Sequence, residues 1–340
     1  MPSKLPTLAF ALGDPAGIGL ELAAKLLVDT EVREAARFIV IGDARALAEG
    51  ARIAKVDITL PTWSGDGQPD LSAGAVLRDL GHLAPETLST GKSSAEGGRF
   101  ALTNFKAALR LGASGHADAV VFTPFNKHAM RLAEPSYVDE IEVISSILKG
   151  GPGREFNVLP NVWNARVTSH VPLSAVAGLI TRKAVLDALV LTDRCMREAG
   201  WARPRIAIAA LNPHAGDGGN FGHEDDTEIA PAVRDAQALG IACDGPFPSD
   251  TVFLRARRGD FDAVQTMYHD QGQIAIKLLG FEEGVTLIGG YQVPVCTPAH
   301  GTAYDIAGKG IAHPGASKAA LLLAARLATR QRAQGAEAVA

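Results

Sequence analysis

The amino-acid sequence predicts a doubly wound α/β fold. Short apolar runs alternate along the chain with longer segments of helical periodicity, as in proteins that pack helices on both faces of a mostly parallel sheet. Several runs are apolar throughout rather than alternating, which is typical of strands covered on both faces. The chain has 340 residues, of which 47% are hydrophobic, so it is long enough for two domains or one large α/β unit.

Apolar runs are predicted as strands and segments of helical periodicity as helices. The strands are 7–12, 37–41, 119–123, 166–170, 205–211 and 263–268. The helices are 20–28, 99–111, 183–199 and 227–239. In the second helix, Phe100, Phe105 and Leu109 fall near one stripe, which is expected to face the core. Segment 149–153 is the most linker-like part of the chain, and the tail after Leu327 is expected to fray.

Charge and cysteine usage exclude several classes of protein. The formal net charge of −4 gives no indication of a basic surface that would bind nucleic acid or an anionic membrane. No apolar run is long enough to span a membrane. The start of the chain matches a signal peptide only weakly, because Gly13, Asp14 and Pro15 interrupt its apolar stretch. The three cysteines are scattered, so we expect a reducing compartment, the cytoplasm, and no disulfide framework.

The first candidate site is a glycine-rich motif between a predicted strand and a predicted helix. It reads Gly-Asp-Pro-Ala-Gly-Ile-Gly-Leu-Glu from Gly13 to Glu21. Glycines allow the backbone to approach a ligand closely, and a helix N-terminus attracts anions. The motif matches neither the dinucleotide pattern G-x-G-x-x-G nor the P-loop. A tight turn that binds nothing is therefore a second interpretation.

Three histidines follow predicted strands at the points where the chain turns. They are His170, His214 and His269. Ligands of parallel α/β sheets bind at the carboxyl ends of strands, and three neutral imidazoles with an open fourth position would form a catalytic divalent-metal site. Their separations along the chain carry no spacing signal, so structural histidines satisfied by ordinary hydrogen bonds are the alternative.

Two further loops combine polar side chains with glycine. Residues 210–222 place polar and charged side chains among glycines directly after a strand, which suggests a binding loop. Residues 300–314 begin His-Gly-Thr-Ala-Tyr-Asp, and a loop of such small residues can surround a flat ring and a ribose. A plain glycine-rich surface loop is the other interpretation of this second segment.

Four motifs, taken in order, resemble the 4-hydroxythreonine-4-phosphate dehydrogenase family. They are Gly-Asp-Pro-Ala-Gly-Ile-Gly, Leu-Asn-Pro-His-Ala-Gly-x-Gly-Gly-x-Phe-Gly, Met-Tyr-His-Asp-Gln-Gly and His-Gly-Thr-Ala-x-Asp-x-Ala-Gly. The similarity extends from about Leu8 to Leu323. It implies an isocitrate/isopropylmalate-dehydrogenase-like α/β/α fold of two domains and a homodimer, with the active site in the cleft at the dimer interface. On this basis we expect the first domain at 1–130 plus 297–340 and the second at 131–296.

The resemblance also implies cofactors and site residues. NAD or NADP would accept hydride from a small-molecule substrate, and one divalent ion (zinc, alternatively magnesium, manganese or cobalt) would be bound by the three histidines, with His269 supplied by the partner subunit. Asp250, Asp270 and Lys277 are then the catalytic candidates, the two carboxylates for proton transfer and for orienting the site and the lysine for the substrate anion. The expected cofactor-binding residues are Gly13, Asp14, His300, Gly301, Thr302, Ala303 and Asp305. The expected substrate-binding residues are Lys127, Asn212, Lys277, Glu140 and Thr286.

The sequence departs from the family where phosphate is expected to bind. The family's His-Thr pair is missing from segment 136–143, which carries three added carboxylates, and an expected asparagine and arginine fall at Thr286 and Val295. Lysine does not replace an arginine fork geometrically. A similar Ile-Gly-Gly segment occurs in the terephthalate cis-dihydrodiol dehydrogenase branch, here at 288–290.

These departures predict oxidation, with decarboxylation, of an unphosphorylated carboxylated diol, a step in aromatic catabolism. The alternative is 4-hydroxythreonine-4-phosphate dehydrogenase of pyridoxine and pyridoxal phosphate biosynthesis. A non-catalytic binding protein on the same fold is the alternative from another class.

Overall fold

The computed structural model describes residues 5–83 and 88–339. It divides into two units, unit 1 (Met1–Gly153 and Val285–Ala340) and unit 2 (Arg154–Gly284). The sequence placed the boundaries near 130 and 297 instead. They shift because the hairpin after residue 284 pairs with a strand of unit 1, and because Ile144 and Leu148 pack into the unit 1 core. The glycine-rich segment 149–153 does end the first part of unit 1.

Strands and helices alternate through most of the described chain. The strands are β1 (Thr7–Ala11), β2 (Arg37–Gly42), β3 (Ala75–Asp79), β4 (Ala119–Phe122), β5 (Gly150–Val158), β6 (Trp163–Arg166), β7 (Ile206–Ala209), β8 (Cys243–Phe247), β9 (Ala263–Thr266), β10 (Val285–Tyr291) and β11 (Val295–Pro298). The helices are α1 (Gly19–Leu27), α2 (Thr30–Ala35), α3 (Ala44–Ala54), α4 (Ala95–Ala113), α5 (Lys127–Ala133), α6 (Glu140–Ile147), α7 (Leu173–Leu179), α8 (Arg182–Glu198), α9 (Ala230–Ala238), α10 (Ser249–Arg257), α11 (His269–Gly280) and α12 (Gly315–Val339).

Unit 1 is built on a mixed sheet in the order β3-β2-β1-β4-β11-β10. All neighbouring pairs are parallel except β10 and β11, which form an antiparallel pair. The central strands β1, β2 and β4 are almost wholly apolar because helices cover both faces. Phe105 and Leu109 of α4 pack into this core and are fully buried, as the stripe in the sequence predicted.

Unit 2 is built on a sheet in the order β5-β6-β9-β7-β8. β5 and β6 are antiparallel, and the other neighbouring pairs are parallel. Its core joins Val264 of β9, Val252 of α10 and Ile276 of α11. The parallel strands β6, β9 and β7 therefore direct their carboxyl ends toward one edge of this sheet.

Some local details differ from the sequence-based expectation. The strand expected at 166–170 is found at Trp163–Arg166, and the left-handed backbone of His170 (φ 53°) cannot be part of a strand. The tail expected to fray after Leu327 instead continues α12 to Val339.

Within the described residues, no helix is both long and apolar enough to cross a membrane.

Candidate functional site

The three candidate histidines lie at the carboxyl edge of the unit 2 sheet. His170 follows β6, His269 begins α11 directly after β9, and His214 follows β7. β9 lies between β6 and β7, and all three strands are parallel. The topology therefore brings the three histidine-bearing turns to the edge where α/β proteins bind ligands.

His170 and His269 lie side by side within one chain. Their ring centroids are 5.7 Å apart, with the ring planes inclined by 38°. Two imidazoles that share an ion at bond lengths of ~2.0–2.1 Å place their ring centres roughly 5–6 Å apart, so this pair fits a divalent metal. Asp270 Oδ1 contacts His269 Nδ1 at 2.6 Å. That contact fixes the ring and leaves Nε2 available as a ligand atom.

His214 lies in an exposed turn of unusual backbone conformation. Residues 214–218 all have positive φ values, between 46° and 82°, and two of the five are glycine. The His214 ring packs against Phe221, with 6.2 Å between centroids. Across residues 5–83 and 88–339, no group of three or more histidine, cysteine or acidic side chains is close enough to hold a metal. One chain thus pairs two of the predicted ligands and leaves His214 apart from them.

A buried carboxylate organises the turn that carries His214. Asp225 is fully buried and accepts hydrogen bonds from the backbone amides of Leu211 and Asn212, at 2.8 and 3.0 Å. Asn212 Nδ2 donates to Asp225 Oδ2 at 3.0 Å and to Glu224 Oε2 at 2.8 Å. The amide of Asn212, predicted to bind substrate, is therefore engaged in holding its own loop. No sequence pattern singles out Asp225, because its partners precede it by more than ten residues.

Gln271 links the turns that follow β7 and β9. Its Oε1 accepts from the Met267 amide at 2.7 Å, and its Nε2 donates to the Ala210 carbonyl at 2.7 Å. The next residue, Gly272, lies against Asn164 of β6, and a Cβ there would come within 2.1 Å of Asn164 Oδ1. These contacts explain the Gln-Gly that follows His269 and Asp270. The sequence motif contained both residues without indicating what they do.

The remaining unit 2 candidates are exposed. Lys277 lies on α11, on the same side as Ile274 and Leu278, which are 61% and 83% exposed. Asp250 is exposed in the first turn of α10. Both side chains can therefore reach a small molecule in solvent, and α10, which carries Asp250, contacts the turn that carries His214.

The cofactor candidates of unit 1 come together around the turn after β1. Asp14 is 1% exposed, and its Oδ1 accepts from the Ala16 amide at 2.9 Å. Ile18 donates its amide to the Thr302 carbonyl at 3.0 Å. Gly13 is required by close packing, because a Cβ would come within 2.4 Å of the Pro124 carbonyl oxygen. The two candidate cofactor segments, 13–19 and 300–305, are therefore direct neighbours.

The 300–305 loop offers exposed atoms beside buried ones. Thr302 is 7% exposed, whereas Gly301 and Asp305 are exposed. Nothing lies within 4 Å of the position that a Gly301 Cβ would take, so there is open space over the backbone there. Ala303 has a φ of 41°, and His300 Nδ1 contacts the Gly301 carbonyl at 3.0 Å. An exposed carboxylate after a tight loop suits the hydroxyls of a ribose, so the residues fit a dinucleotide.

The unit 1 substrate candidates form a pair rather than an open anion site. Lys127 Nζ and Glu140 Oε2 are 2.9 Å apart at the starts of α5 and α6. Burial, with Glu140 as the second cause, raises the pKa of Tyr137 well above its usual range. Thr286 lies in β10 opposite Thr297, and Val295 is fully buried in β11. Position 295 is thus a core position in this chain.

A separate cavity of about 490 Å³ lies in unit 1 at the amino ends of β2 and β3. Its lining includes Arg33, Arg37 and Asp57. None of the candidate residues lies in it. Because ligands of α/β sheets bind at the carboxyl ends of strands, this cavity at the amino ends is not a candidate functional site.

Sequence comparisons identify the class of protein. The model of the family described as pyridoxal phosphate biosynthetic protein PdxA matches residues 34–324. A Rhizobium meliloti protein, provisionally named 4-hydroxythreonine-4-phosphate dehydrogenase 2, is 55% identical over 337 residues, covering 98% of this chain and 97% of its own. A D-threonate 4-phosphate dehydrogenase of Cupriavidus necator is 37% identical over 333 residues, covering 97% and 100%. The protein is an oxidoreductase of the dehydrogenase class. It belongs to the PdxA family.

Solved structures support the same assignment and the fold. A 4-hydroxythreonine-4-phosphate dehydrogenase from Salmonella typhimurium, whose identification is provisional, superposes with a TM-score of 0.82 at 32% identity, covering 95% of this chain and 100% of its own. A beta-decarboxylating dehydrogenase from Thermococcus kodakarensis, at 17% identity and a TM-score of 0.51, shares the fold, covering 94% and 82%. The expected isocitrate-dehydrogenase-like α/β fold is therefore confirmed.

The preference for an unphosphorylated diol has less support than its alternative. The terephthalate dihydrodiol dehydrogenase of Burkholderia xenovorans is 26% identical, with a TM-score of 0.67, covering 95% of this chain and 98% of its own. Those values are lower than for the phosphate-named relatives. The preference rested on the missing His-Thr pair in segment 136–143, on the absence of phosphate-binding side chains at positions 286 and 295, and on the Ile-Gly-Gly segment at 288–290. A buried valine at 295 removes one cation, but it does not exclude a phosphate held elsewhere.

Proposed function

We propose that this chain oxidises a four-carbon hydroxy acid phosphorylated at carbon 4, with NAD or NADP and a divalent metal ion. The observation that carries the proposal is the meeting of the three histidine-bearing turns, which follow β6, β9 and β7, at the carboxyl edge of the unit 2 sheet. Relatives between 35% and 55% identical have names that specify 4-hydroxythreonine 4-phosphate or D-threonate 4-phosphate. Pyridoxal phosphate biosynthesis is the pathway that the family's description suggests.

The two named substrates share the chemistry that the site requires. Each has a hydroxyl on carbon 3, β to the carboxylate, and they differ at carbon 2, where one has an amine and the other a hydroxyl. Oxidation at carbon 3 gives a β-keto acid, which readily loses carbon dioxide. When bound, the dinucleotide accepts the hydride and the metal ion withdraws charge from the reacting oxygen.

The chain's own residues bind and orient these groups. His170, His214 and His269 would bind the ion, and Asp270 holds the His269 ring through its Nδ1 atom. Lys277, exposed on α11, would pair with a substrate anion. Asp250 is our candidate for accepting the hydroxyl proton, and Asp305 for binding the ribose.

We also propose that the protein acts as a homodimer in which His269 serves the partner's site. The exposed Ile274 and Leu278 on α11 support this, because the helix that carries His269 and Lys277 presents an uncovered apolar side. His170→Ala and His269→Ala subunits, each inactive alone, should regain activity when they are mixed and exchanged. If exchange is demonstrated and no activity returns, one chain supplies both histidines and this part of the proposal is wrong.

The function is tested by cofactor reduction with three substrates under one set of conditions. The substrates are 4-hydroxythreonine 4-phosphate, D-threonate 4-phosphate and a terephthalate cis-dihydrodiol. We expect one of the phosphorylated acids to exceed the dihydrodiol in kcat/KM by at least about a hundredfold, since a bound phosphate contributes several charge-assisted hydrogen bonds. We also expect a strong chelator to abolish turnover.

Two results would contradict the proposal. Faster turnover of the dihydrodiol would show that the substrate is an unphosphorylated diol. Absence of turnover with every substrate, together with absence of dinucleotide binding, would favour a non-catalytic binding protein.

A further inference from the structure

The 300–312 segment of unit 1 is held by two buried carboxylates from the first glycine-rich motif. Asp14 and Glu21 are each 1% exposed. Glu21 Oε1 accepts from the Ala312 amide at 2.8 Å and from Lys25 Nζ at 2.7 Å, and Lys25 also donates to the Gly310 and Ala312 carbonyls. One end of the segment is thereby fixed to α1.

Asp14 fixes the other end through a tyrosine. The Tyr304 hydroxyl donates to Asp14 Oδ2 at 2.5 Å, while Asp14 Oδ1 accepts from the Ala16 amide. Both carboxylate oxygens are thus engaged within the protein, and Asp14 holds the loop from its buried side. Burial raises the pKa of Asp14, and the hydrogen bond from Tyr304 opposes that rise because it stabilises the charged form.

The backbone around Tyr304 is closely packed on the same side. A Cβ on Gly91 would come within 2.9 Å of the Tyr304 carbonyl oxygen, and a Cβ on Gly17 within 2.8 Å of Thr302. Ala303 and Ile306 pack against Ile18 of the same turn. Asp305, in contrast, is exposed. The hydroxyl of Tyr304 therefore joins the buried side of the loop to Asp14, while the opposite side faces solvent.

We infer that Tyr304 is a positioning residue for the dinucleotide. Its hydroxyl, bound to the buried Asp14 carboxylate, holds the 300–305 loop in the conformation that presents Gly301 and Asp305 to the cofactor. Tyr304 occupies the variable position of the His-Gly-Thr-Ala-x-Asp motif, so the motif itself does not specify this contact. The inference rests on the proposed function, because it takes the dinucleotide as the ligand of this loop.

The test compares Tyr304→Phe with Tyr291→Phe, a matched control. Tyr291 is 8% exposed, and its hydroxyl is hydrogen bonded to Ser145 Oγ at 2.7 Å, away from the loop. Loss of a hydrogen bond to a charged group should raise the dissociation constant of NADH or NADPH by roughly tenfold to a hundredfold in Tyr304→Phe. The KM for the dinucleotide should rise in parallel, while kcat changes by less than about twofold. Tyr291→Phe should bind the dinucleotide as the parent protein does.

Further measurements keep the inference testable if Tyr304→Phe does not fold. Asp14→Asn, which weakens the charge-assisted bond, should also raise the dissociation constant. In the parent protein, dinucleotide should slow amide hydrogen exchange in both 13–19 and 300–308.

The outcomes are distinguishable. The role of Tyr304 is overturned if folded Tyr304→Phe or Asp14→Asn binds the dinucleotide with unchanged affinity. It is also overturned if the dinucleotide slows hydrogen exchange only in 300–308. Both results leave the proposed function intact. A parent protein that binds neither dinucleotide overturns both.

Discussion

The histidine edge of unit 2 and the 300–312 segment of unit 1 differ in where the groups considered for substitution lie. At the histidine edge, the candidate groups are exposed or half-buried, and two of them, His170 and His214, have left-handed backbone conformations. In unit 1, the decisive charged groups, Asp14 and Glu21, are buried beneath the loop that they hold. Substitution of an exposed ligand should therefore change chemistry and spare stability, whereas substitution of a buried anchor should change conformation and stability together.

The largest effect is expected for His214→Ala. The side chain is exposed, so the free energy of unfolding should change by no more than about 0.5 kcal/mol. Loss of a residue that only hydrogen bonds to a metal ligand lowers activity by up to about a hundredfold. Loss of the ligand itself should therefore lower activity by more than about a hundredfold. Metal analysis of the purified protein, kcat/KM and thermal unfolding measure the two effects. His128→Ala, at an exposed position in α5, is the control; equal metal content in both variants would exclude His214 as a ligand.

Gly272→Ala tests the buried support beneath the histidine edge. Its Cβ would meet Asn164 Oδ1 at 2.1 Å, so α11 and His269 must shift. We expect a loss of stability of ~1–3 kcal/mol, which is typical of overpacking, with weaker metal binding. Gly178→Ala in α7, where nothing lies within 4 Å, should be neutral or stabilising by less than about 1 kcal/mol. Chemical denaturation of both variants makes the comparison, and equal stability would show that Gly272 is not required by packing.

The smallest effect concerns another buried carboxylate of unit 1. The hydrogen bond from the Arg45 side chain lowers the pKa of Asp43 from 3.8 to about 2. Because the folded pKa is lowered, this contribution to stability is present above pH 3.8 and is lost as the pH falls toward 2. Arg45 is half exposed, so Arg45→Gln should cost only about 1 kcal/mol at pH 7.

Denaturation of the parent and of Arg45→Gln across pH 2–7 checks this prediction. The difference between the two proteins should shrink as the pH falls from about 4 to 2. Arg52→Gln, whose partner Glu49 is 48% exposed, should show a smaller difference throughout. A difference that is independent of pH would show that Arg45 acts through something other than the Asp43 charge.

The sequence predicted what depends on local pattern. Apolar runs located β1, β2, β4, β7, β9 and the end of β6 but not β3 or β8, and the turns after β6, β7 and β9 placed the three histidines at one edge. It did not predict the roles of Gln271 or Tyr304, because their partners, Ala210 and Asp14, lie 61 and 290 residues away. The β10–β11 hairpin was missed for a similar reason, since its pairing with β4 joins distant segments. The predicted preference for an unphosphorylated diol has less support than its alternative, because absent ligands were counted without knowing which positions face the core.

Anomalous diffraction from crystals grown with zinc or manganese tests most directly whether the three histidines bind a catalytic metal ion. We expect one ion bound by nitrogen atoms of His170, His214 and His269. His269 is supplied by the same subunit or by the partner subunit of a dimer. An ion bound elsewhere, or no ion at this edge under conditions in which the enzyme is active, would contradict the metal site proposed for this family member.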